Sequence, residues 1–219
     1  MSDRERKLLL YEQFARMGKA LANPLRLELI DVLAQGERSV DDLATSCGWK
    51  LSNTSAQLKV LQHAGLLRTR RDGVKIFYRV ADTSVLEFVE SLKAMATETL
   101  PDAEKAARDY LGDVSALQPV GRGDLAELIA RGEVVVVDVR PAEEYAAGHI
   151  AGALSIPHDQ LAARLAELPK ESLIVAYCRG RFCVMAPEAV RLLRANGFEA
   201  RLLADGWPQW HAEGLPVAS

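Results

Sequence analysis

Apolar residues in the first half of the chain recur at the three-to-four-residue spacing of helices. The spacing predicts helices over about residues 8–22, 24–36, 39–47, 52–65 and 83–100, with Ser39 and Ser52 as N-caps. Residues 66–71 and 74–80 are extended runs joined across Asp72 and Gly73, which predicts a hairpin. A short helix, a turn, a second helix and then a basic hairpin is the element order of a helix-turn-helix with a wing.

The second half alternates short apolar runs with helical patterns. Strands are predicted at Val134–Val137, 153–157 and Leu173–Tyr177, and helices at about 124–129, from Glu143 and from Val184. Such alternation predicts a parallel sheet with helices on both faces, whose ligand sites lie at the carboxyl ends of strands.

The composition changes between the two halves, where an acidic helical stretch is followed by glycine and proline. We therefore predict two domains, residues 1–101 and 118–219, joined by a linker at 102–117. The first is a mainly α winged helix-turn-helix domain, and the second is an α/β domain with a central parallel sheet.

Charge is unevenly distributed in this 219-residue chain, whose net charge is only −3. Residues 47–80 carry seven cations and one acid (7 − 1 = +6), whereas residues 82–113 carry three cations and eight acids (3 − 8 = −5). A basic segment in a nearly neutral chain indicates a nucleic-acid partner. The candidates for reading base edges or neutralising phosphates are Lys50, Ser52, Asn53, Thr54, Ser55, Gln57, Lys59, Arg68, Arg70, Arg71 and Lys75.

Two of the three cysteines lie in one short loop. Cys178 follows the strand Leu173–Tyr177, and the loop continues as Arg179, Gly180, Arg181, Phe182 and Cys183 before a helix begins. A cysteine at a helix N-terminus beside arginines has a lowered pKa and reacts as a thiolate, and a glycine lets successive amides form an anion-binding nest. The alternative is a buried structural cysteine; two arginines, a glycine and a second cysteine favour the reactive one. Asp138 and Arg140, after another strand, are expected to brace this loop or to bind substrate directly.

The start of the chain is charged and is followed by only four apolar residues, 8–11, too few for a signal sequence. No apolar run reaches the roughly 18 residues of a membrane-spanning helix. We therefore expect a cytoplasmic protein with no membrane partner and with reduced thiols. Cys47 alone cannot supply the converging ligands of a metal site, so neither a metal nor a cofactor is expected.

Residues 8–100 resemble the ArsR-type winged-helix repressors. The resemblance rests on residues 23–27 (Asn-Pro-Leu-Arg-Leu), 58–61 (Leu-Lys-Val-Leu), 63–67 (His-Ala-Gly-Leu-Leu) and 71–73 (Arg-Asp-Gly). It implies a homodimer held by the first and last helices, with the helix that starts near Ser52 in the major groove of an operator.

Residues 118–218 resemble a rhodanese domain. The motifs are residues 138–140 (Asp-Val-Arg), 144–145 (Glu-Tyr), 148–153 (Gly-His-Ile-Ala-Gly-Ala), 156–157 (Ile-Pro), 197–198 (Gly-Phe) and 205–207 (Asp-Gly-Trp). The resemblance implies that Cys178 carries sulfane sulfur as a persulfide, in a six-residue loop of the length associated with sulfur substrates.

These features favour a transcriptional repressor whose rhodanese domain senses reactive sulfur, with persulfide on Cys178 and Cys183 as a resolving thiol. The expected partners are a double-stranded operator, a second copy of the chain, and persulfide, polysulfide or thiosulfate. Two alternatives stay open: a sulfurtransferase tethered to a DNA-binding domain, and an arsenic-responsive regulator.

Overall fold

The computed structural model describes all residues, Met1–Ser219. They divide into two compact units, Met1–Lys93 and Ala94–Ser219. None of the helices combines the length and the apolar character that crossing a bilayer requires.

The first unit contains four helices and a three-stranded antiparallel sheet. The helices are α1 (Asp3–Leu21), α2 (Pro24–Leu33), α3 (Val40–Cys47) and α4 (Leu51–His63), and the strands are β1 (Arg38–Ser39), β2 (Leu67–Asp72) and β3 (Lys75–Val80). The strand order is β1-β3-β2, so the predicted hairpin is present and a short third strand extends it. A fifth helix, α5 (Thr83–Thr99), continues past the boundary between the two units.

Three boundaries differ from the sequence prediction. Helix α1 begins at Asp3 because Ser2 and Glu5 form a capping box, which the apolar pattern does not register. Helix α4 begins at Leu51 after Lys50, so Ser52 lies in its first turn and is not its cap. The hairpin turn is Gly73-Val74, because Asp72 still pairs with Lys75 in the ladder.

The core of the first unit is aliphatic. Leu29, Leu43, Leu58 and Leu61, from helices α2, α3 and α4, are completely buried. Arg26 sits at the edge of this core, where its guanidinium donates to the carbonyls of Ala20 and Lys19 at the end of α1 and to Gln57 Oε1 (2.9 Å) on α4. These bonds fix the orientation of α4 relative to α1 and α2.

The second unit is built on a four-stranded parallel sheet of order β6-β4-β7-β8. Its elements in chain order are α6 (Pro101–Leu111), α7 (Arg122–Ala130), β4 (Val134–Asp138), α8 (Ala142–Ala147), β5 (His149–Ile150), β6 (Leu154–Ser155), β7 (Leu173–Tyr177), α9 (Met185–Ala195), β8 (Ala200–Leu202), α10 (Trp207–Ala212) and β9 (Val217–Ala218). Strands β5 and β9 form a separate antiparallel pair. The predicted parallel sheet is confirmed.

The sheet is covered on both faces. In β4, Val137 packs into a cluster with residues of α9, whereas its neighbour Val136 packs into a second cluster with Leu125 of α7 and with Trp207 and Trp210 of α10. Because successive side chains of a strand point to opposite faces, the two central strands β4 and β7 each supply both clusters. The carboxyl ends of β4 and β7 therefore meet at one edge, where Asp138 and Cys178 lie.

The segment expected to be a linker is ordered within the second unit. Residues 101–111 form α6, and a short 3₁₀ turn follows at Ser115–Leu117. Two arginines of α9 hold this segment: Arg191 donates to the carbonyl of Leu111, and Arg194 donates to the carbonyl of Leu117 (3.0 Å). Gly112, at φ +72°, lies directly against the Arg191 guanidinium, where a Cβ atom would come within 2.6 Å of Nη2.

Candidate thiol site and nucleic-acid interface

Cys178 directly follows β7, and the loop that it begins leads into helix α9. The side chain is 1% exposed and belongs to the apolar cluster beneath the loop. Its Sγ lies 3.6 Å from the Cys183 carbonyl oxygen and 3.9 Å from the Gly180 carbonyl oxygen. The backbone N–H groups of Ala186 and Gly180 act on the same sulfur and lower its pKa, which is the effect expected of the predicted nest.

Cys183 is the second thiol of the loop and is partly exposed. Interaction with the Cys178 thiol is the largest influence that lowers the pKa of Cys183 to about 7. Backbone N–H groups of Met185 and Arg179, together with the Arg179 charge, lower this pKa further. Cys183 is therefore the thiol of the pair that ionises first as pH rises through about 7.

The expected lowering of the Cys178 pKa is wrong. Burial raises the pKa of this thiol well above its ordinary value, and the hydrogen bond to Cys183 and the negative charge on Cys183 raise it further. The amides of Gly180 and Ala186 act in the opposite direction but do not outweigh burial. Sequence reasoning placed the thiolate on the first cysteine because burial and the pairing of two thiols depend on tertiary structure.

Asp138 and Arg140 form a fully buried ion pair below the loop, with 2.6 Å between Arg140 Nη2 and Asp138 Oδ2. The hydroxyl of Tyr177, the residue before Cys178, donates to the same carboxylate at 2.5 Å. Arg140 also donates to the carbonyl of Gly148 at 2.8 Å. With both side chains inaccessible, the interpretation that they brace the loop is favoured and direct substrate binding is not.

Arg179 is held by a carboxylate that sequence reasoning assigned no role. Its Nη2 lies 2.7 Å from Oε1 of Glu144, whose side chain is only 1% exposed. This pair fixes the Arg179 side chain near the two thiols, where its charge favours the thiolate at Cys183. Glu144 belongs to a predicted helix and to a motif of the rhodanese resemblance, but no local signal links it to Arg179.

Gly206 allows a second backbone segment to approach the loop. A Cβ atom at this position would lie 2.3 Å from the Gly180 nitrogen and 2.5 Å from the Arg179 carbonyl carbon, closer than any side chain permits. The next residue, Trp207, donates its backbone N–H to the Cys178 carbonyl at 3.1 Å. The loop is thus held from the side of α10 as well as by its own strand and helix.

A cavity of about 800 Å³ opens over the two thiols. Cys178, Gly180, Arg181, Phe182 and Cys183 line its floor. The opposite wall comes from α6 and the residues after it, including Ala107, Arg108 and Leu111. The sequence predicts a linker at residues 102–117 and gives no sign that this segment forms a wall of the cavity. The apolar spacing of a helix does not show which part of the protein the helix packs against.

The residues expected to read base edges differ in how far their side chains are exposed to solvent. Ser52 and Asn53 are exposed in the first turn of α4, and Ser55 is half-buried. Gln57 is also half-buried, and it donates to Asn53 Oδ1 at 3.2 Å while accepting from Arg26. Thr54 is fully buried and its hydroxyl donates to the Lys50 carbonyl, so its assignment as a DNA contact is wrong.

The predicted phosphate contacts are exposed, at Lys50 before the start of α4, at Lys59 within α4, and along the hairpin at Arg68, Arg70, Arg71 and Lys75. Arg70 differs from the others because it pairs with Glu37 at 2.7 Å and with Asp72 at 3.2 Å. Its charge is therefore partly neutralised within the unit. The remaining cations are the stronger candidates for phosphate contacts.

The effect of the Cys178 thiol on the pKa of Cys183 generates a pH prediction for Cys183. Its alkylation rate with iodoacetamide, followed by peptide mass spectrometry, should rise with pH around a midpoint of about 7, because the thiolate reacts. In Cys178→Ala the midpoint should move up toward the ordinary thiol value of about 8.5, since the donor is lost. Cys178→Ser is the matched control because its hydroxyl can still donate, so its midpoint should stay closer to that of the unmodified chain. An unchanged or lower midpoint in Cys178→Ala would contradict the assignment.

Two family models match the chain in separate places. A helix-turn-helix domain matches residues 21–70, and a rhodanese-like domain matches residues 122–213. These ranges coincide with the α2–β2 region and with the parallel-sheet unit. The resemblance of the two halves to a winged helix-turn-helix repressor and to a rhodanese domain is confirmed.

Known proteins resemble either the whole chain or one half of it. The HTH-type transcriptional regulator Rv0324 of Mycobacterium tuberculosis is 48% identical over 213 residues, which is 97% of this chain and 93% of that protein. A biofilm growth-associated repressor of Agrobacterium fabrum is 43% identical over 77 residues, covering 35% of this chain and 66% of that protein.

Solved structures match one half each. The homodimeric winged helix-turn-helix DNA-binding domain Mb0332 of Mycobacterium bovis, described as a possible ArsR-family transcriptional regulator, is 43% identical, covers 47% of this chain and 93% of that chain, and has a TM-score of 0.41. A rhodanese-related protein of Thermoplasma volcanium is 27% identical, covers 46% of this chain and 96% of that chain, and has a TM-score of 0.42. With a relative at 48% identity along nearly its whole length, the chain belongs to the HTH-type transcriptional regulators, and in it a helix-turn-helix domain precedes a rhodanese-like domain.

Proposed function

We propose that this regulator is a repressor that binds a double-stranded operator as a homodimer and responds to reactive sulfur carried by the Cys178–Cys183 pair. The observation that carries the proposal is the pair itself: Cys178 Sγ lies 3.6 Å from the backbone carbonyl oxygen of Cys183, and both cysteines line an open cavity. The repressor role is supported by the Agrobacterium relative, which bears that name.

The chemistry of the pair accommodates a persulfide and its resolution. A thiolate of the pair attacks the outer sulfur of a donor R–S–SH, the bond between the two donor sulfurs breaks, and RS⁻ leaves, so the cysteine becomes Cys–S–SH. The second thiolate then attacks the inner sulfur of this persulfide, which forms a Cys178–Cys183 disulfide and releases HS⁻. No external oxidant is consumed in either step.

Helix α1 supports a homodimer. Leu9, Leu10, Tyr11, Phe14 and Met17 are each between 41% and 59% exposed on this single helix. A contiguous apolar surface of this kind on a small domain marks an interaction site. Such a face pairs with its own copy in a twofold dimer, where two α4 helices are positioned for two half-sites of an operator.

Helix α9 supports a route from the sulfur site toward the DNA-binding unit. It begins two residues after Cys183, and its Arg191 and Arg194 hold the carbonyls of Leu111 and Leu117 after α6. Helix α6 follows α5 after a single residue, Leu100, and α5 begins in the DNA-binding unit. A change of loop structure on sulfur modification is thus transmitted through α9 to the chain segment that connects the units.

The DNA-binding part of the proposal predicts different effects for two substitutions in α4. Asn53→Ala should weaken binding to an operator selected in vitro by about 1–3 kcal/mol, or roughly 5- to 150-fold, with little effect on unrelated duplexes. Lys59→Ala should weaken both kinds of binding about equally and reduce the salt slope by about 1. Fluorescence anisotropy at several salt concentrations measures both. Equal losses on both duplexes in Asn53→Ala would contradict base reading by α4.

The sulfur-sensing part of the proposal predicts that Cys178→Ser abolishes persulfide-responsive release of the operator. The measurement is a gel shift on purified protein treated with polysulfide, paired with mass spectrometry of each cysteine and with a reporter strain. Cys47→Ser is the control and should respond like the unmodified chain, because Cys47 packs against the core of the other unit. A full response in Cys178→Ser would refute this sensing route.

Thiosulfate:cyanide turnover above about 1 per second would instead favour a sulfurtransferase.

The coupling route predicts that Arg191→Met separates sulfur modification from DNA release. The extent of cysteine labelling and the operator affinity of the reduced protein should stay within about twofold of those of the unmodified chain. The reason is that Arg191 touches neither the thiol pair nor the DNA-binding surface. The ratio of operator affinities between reduced and modified protein should fall by at least fivefold, the lower end of typical coupling. Arg201→Met, which removes a surface pair with Glu199, is the matched control and should leave that ratio unchanged. A ratio unaffected by Arg191→Met would remove α9 from the route.

A further inference from the structure

A chain of hydrogen bonds links the end of α1 to an exposed side chain at the start of α4. The Arg26 guanidinium donates to the backbone carbonyls of Lys19 and Ala20. Its Nη1 also donates to Gln57 Oε1 at 2.9 Å, and Gln57 in turn donates from Nε2 to Asn53 Oδ1 at 3.2 Å. The chain of bonds ends there, because Asn53 lies exposed in the first turn of α4.

The direction of every bond in this chain is fixed by its first member. A guanidinium has only N–H donors and stays charged, so the Gln57 atom that faces Arg26 must be the carbonyl oxygen. Gln57 therefore turns its amino group toward Asn53, which must answer with its own carbonyl oxygen because two amino groups cannot bond to each other. Asn53 Nδ2 has no hydrogen-bond partner in the protein, so the group that this residue offers to a ligand is a donor.

A donor and an acceptor read different bases in the major groove. Guanine presents O6 and N7 and thymine presents O4, all of which accept, whereas cytosine presents an N4 amino group, which donates. Adenine has an accepting N7, but its N6 amino group lies beside that atom and opposes a second donor. An asparagine that is free to turn uses both amide atoms on adenine. An asparagine held as a donor instead favours the keto bases, guanine and thymine, over the amino bases, adenine and cytosine.

We propose that Arg26, acting through Gln57, is a positioning residue that holds Asn53 as a donor and thereby selects a keto base at the operator position that Asn53 contacts. Arg26 is half-buried at the edge of the core and acts on the base only through Gln57. The inference rests on the proposed function, in which α4 reads the operator, and adds the class of base that is read.

Gln57→Glu tests the direction of the bonds. A carboxylate has acceptor oxygens and no donor, so it still pairs with Arg26 but obliges Asn53 to turn its amino group inward and to offer Oδ1. The preference at the contacted position should therefore invert, from guanine or thymine to adenine or cytosine. Gln62→Glu is the matched control, since it adds the same charge to α4 at a residue that bonds to Thr69 Oγ1 (3.2 Å) and not to this chain of bonds. It should weaken binding to all duplexes alike and leave the preference unchanged.

The measurement uses the full chain and an operator selected in vitro. The contacted position is the one at which Asn53→Ala loses discrimination among the four base pairs, and competition anisotropy with duplexes that differ only there gives the preference. The unmodified chain should favour a keto base by about fivefold or more, the effect of one net hydrogen bond, and Gln57→Glu should favour an amino base by a similar factor. Gln57→Leu removes both bonds without adding charge, which frees the amide to turn, and should raise the relative affinity for adenine by about threefold or more. This second variant keeps the test available if Gln57→Glu does not fold.

The outcomes separate the inference from the proposed function. If no position depends on Asn53, base reading by this residue fails and the inference fails with it. If such a position exists but the unmodified chain prefers adenine or cytosine there, the inference is overturned while base reading by α4 stands. An unchanged preference in a folded Gln57→Glu variant would overturn it in the same way.

Discussion

The burial of Cys178 beside the more exposed Cys183 decides which thiol of this site takes the negative charge. Burial makes a charge on Cys178 costly and raises the pKa of its thiol, whereas interaction with the Cys178 thiol lowers the pKa of Cys183. The amides at the start of α9 and the charge of Arg179 then stabilise the thiolate at Cys183. A buried thiol next to an accessible thiolate gives the loop both a reactive group and a partner for it, which a single cysteine could not provide.

Buried polar groups hold that pair in place. The Asp138–Arg140 ion pair and the Tyr177 hydroxyl fix the ends of the two central strands, and the bond between Glu144 and Arg179 fixes the cation beside the thiols. Asp138, Arg140 and Glu144 are fully or almost fully buried, and each has its partner, which is the condition under which burial of charge is tolerated. Arg179 is 26% exposed and is held through Glu144 beside the open cavity.

The segment between the two family-model matches lines the cavity as well as connecting the two units. Helix α6 lines the cavity on one side, and Arg191 and Arg194 of α9 hold the residues that follow it. Helix α6 also leads back, through α5, to the first unit. One wall of the cavity and the connection between the two units are therefore formed by consecutive helices.

The sequence alone determined the two-domain order, the helix-turn-helix with its hairpin, the parallel sheet and the position of Cys178 at a strand end, because apolar periodicity and turn residues act locally. It did not determine that Thr54 is buried while Asn53 is exposed, since that depends on how α4 packs against its neighbours. The distribution of charge between the thiols, the pairing of Arg179 with Glu144 and the cavity wall formed by α6 were decided only by tertiary structure. Each of these depends on burial or on contacts between residues distant in the chain. Neither burial nor such contacts can be inferred from the local pattern of residues.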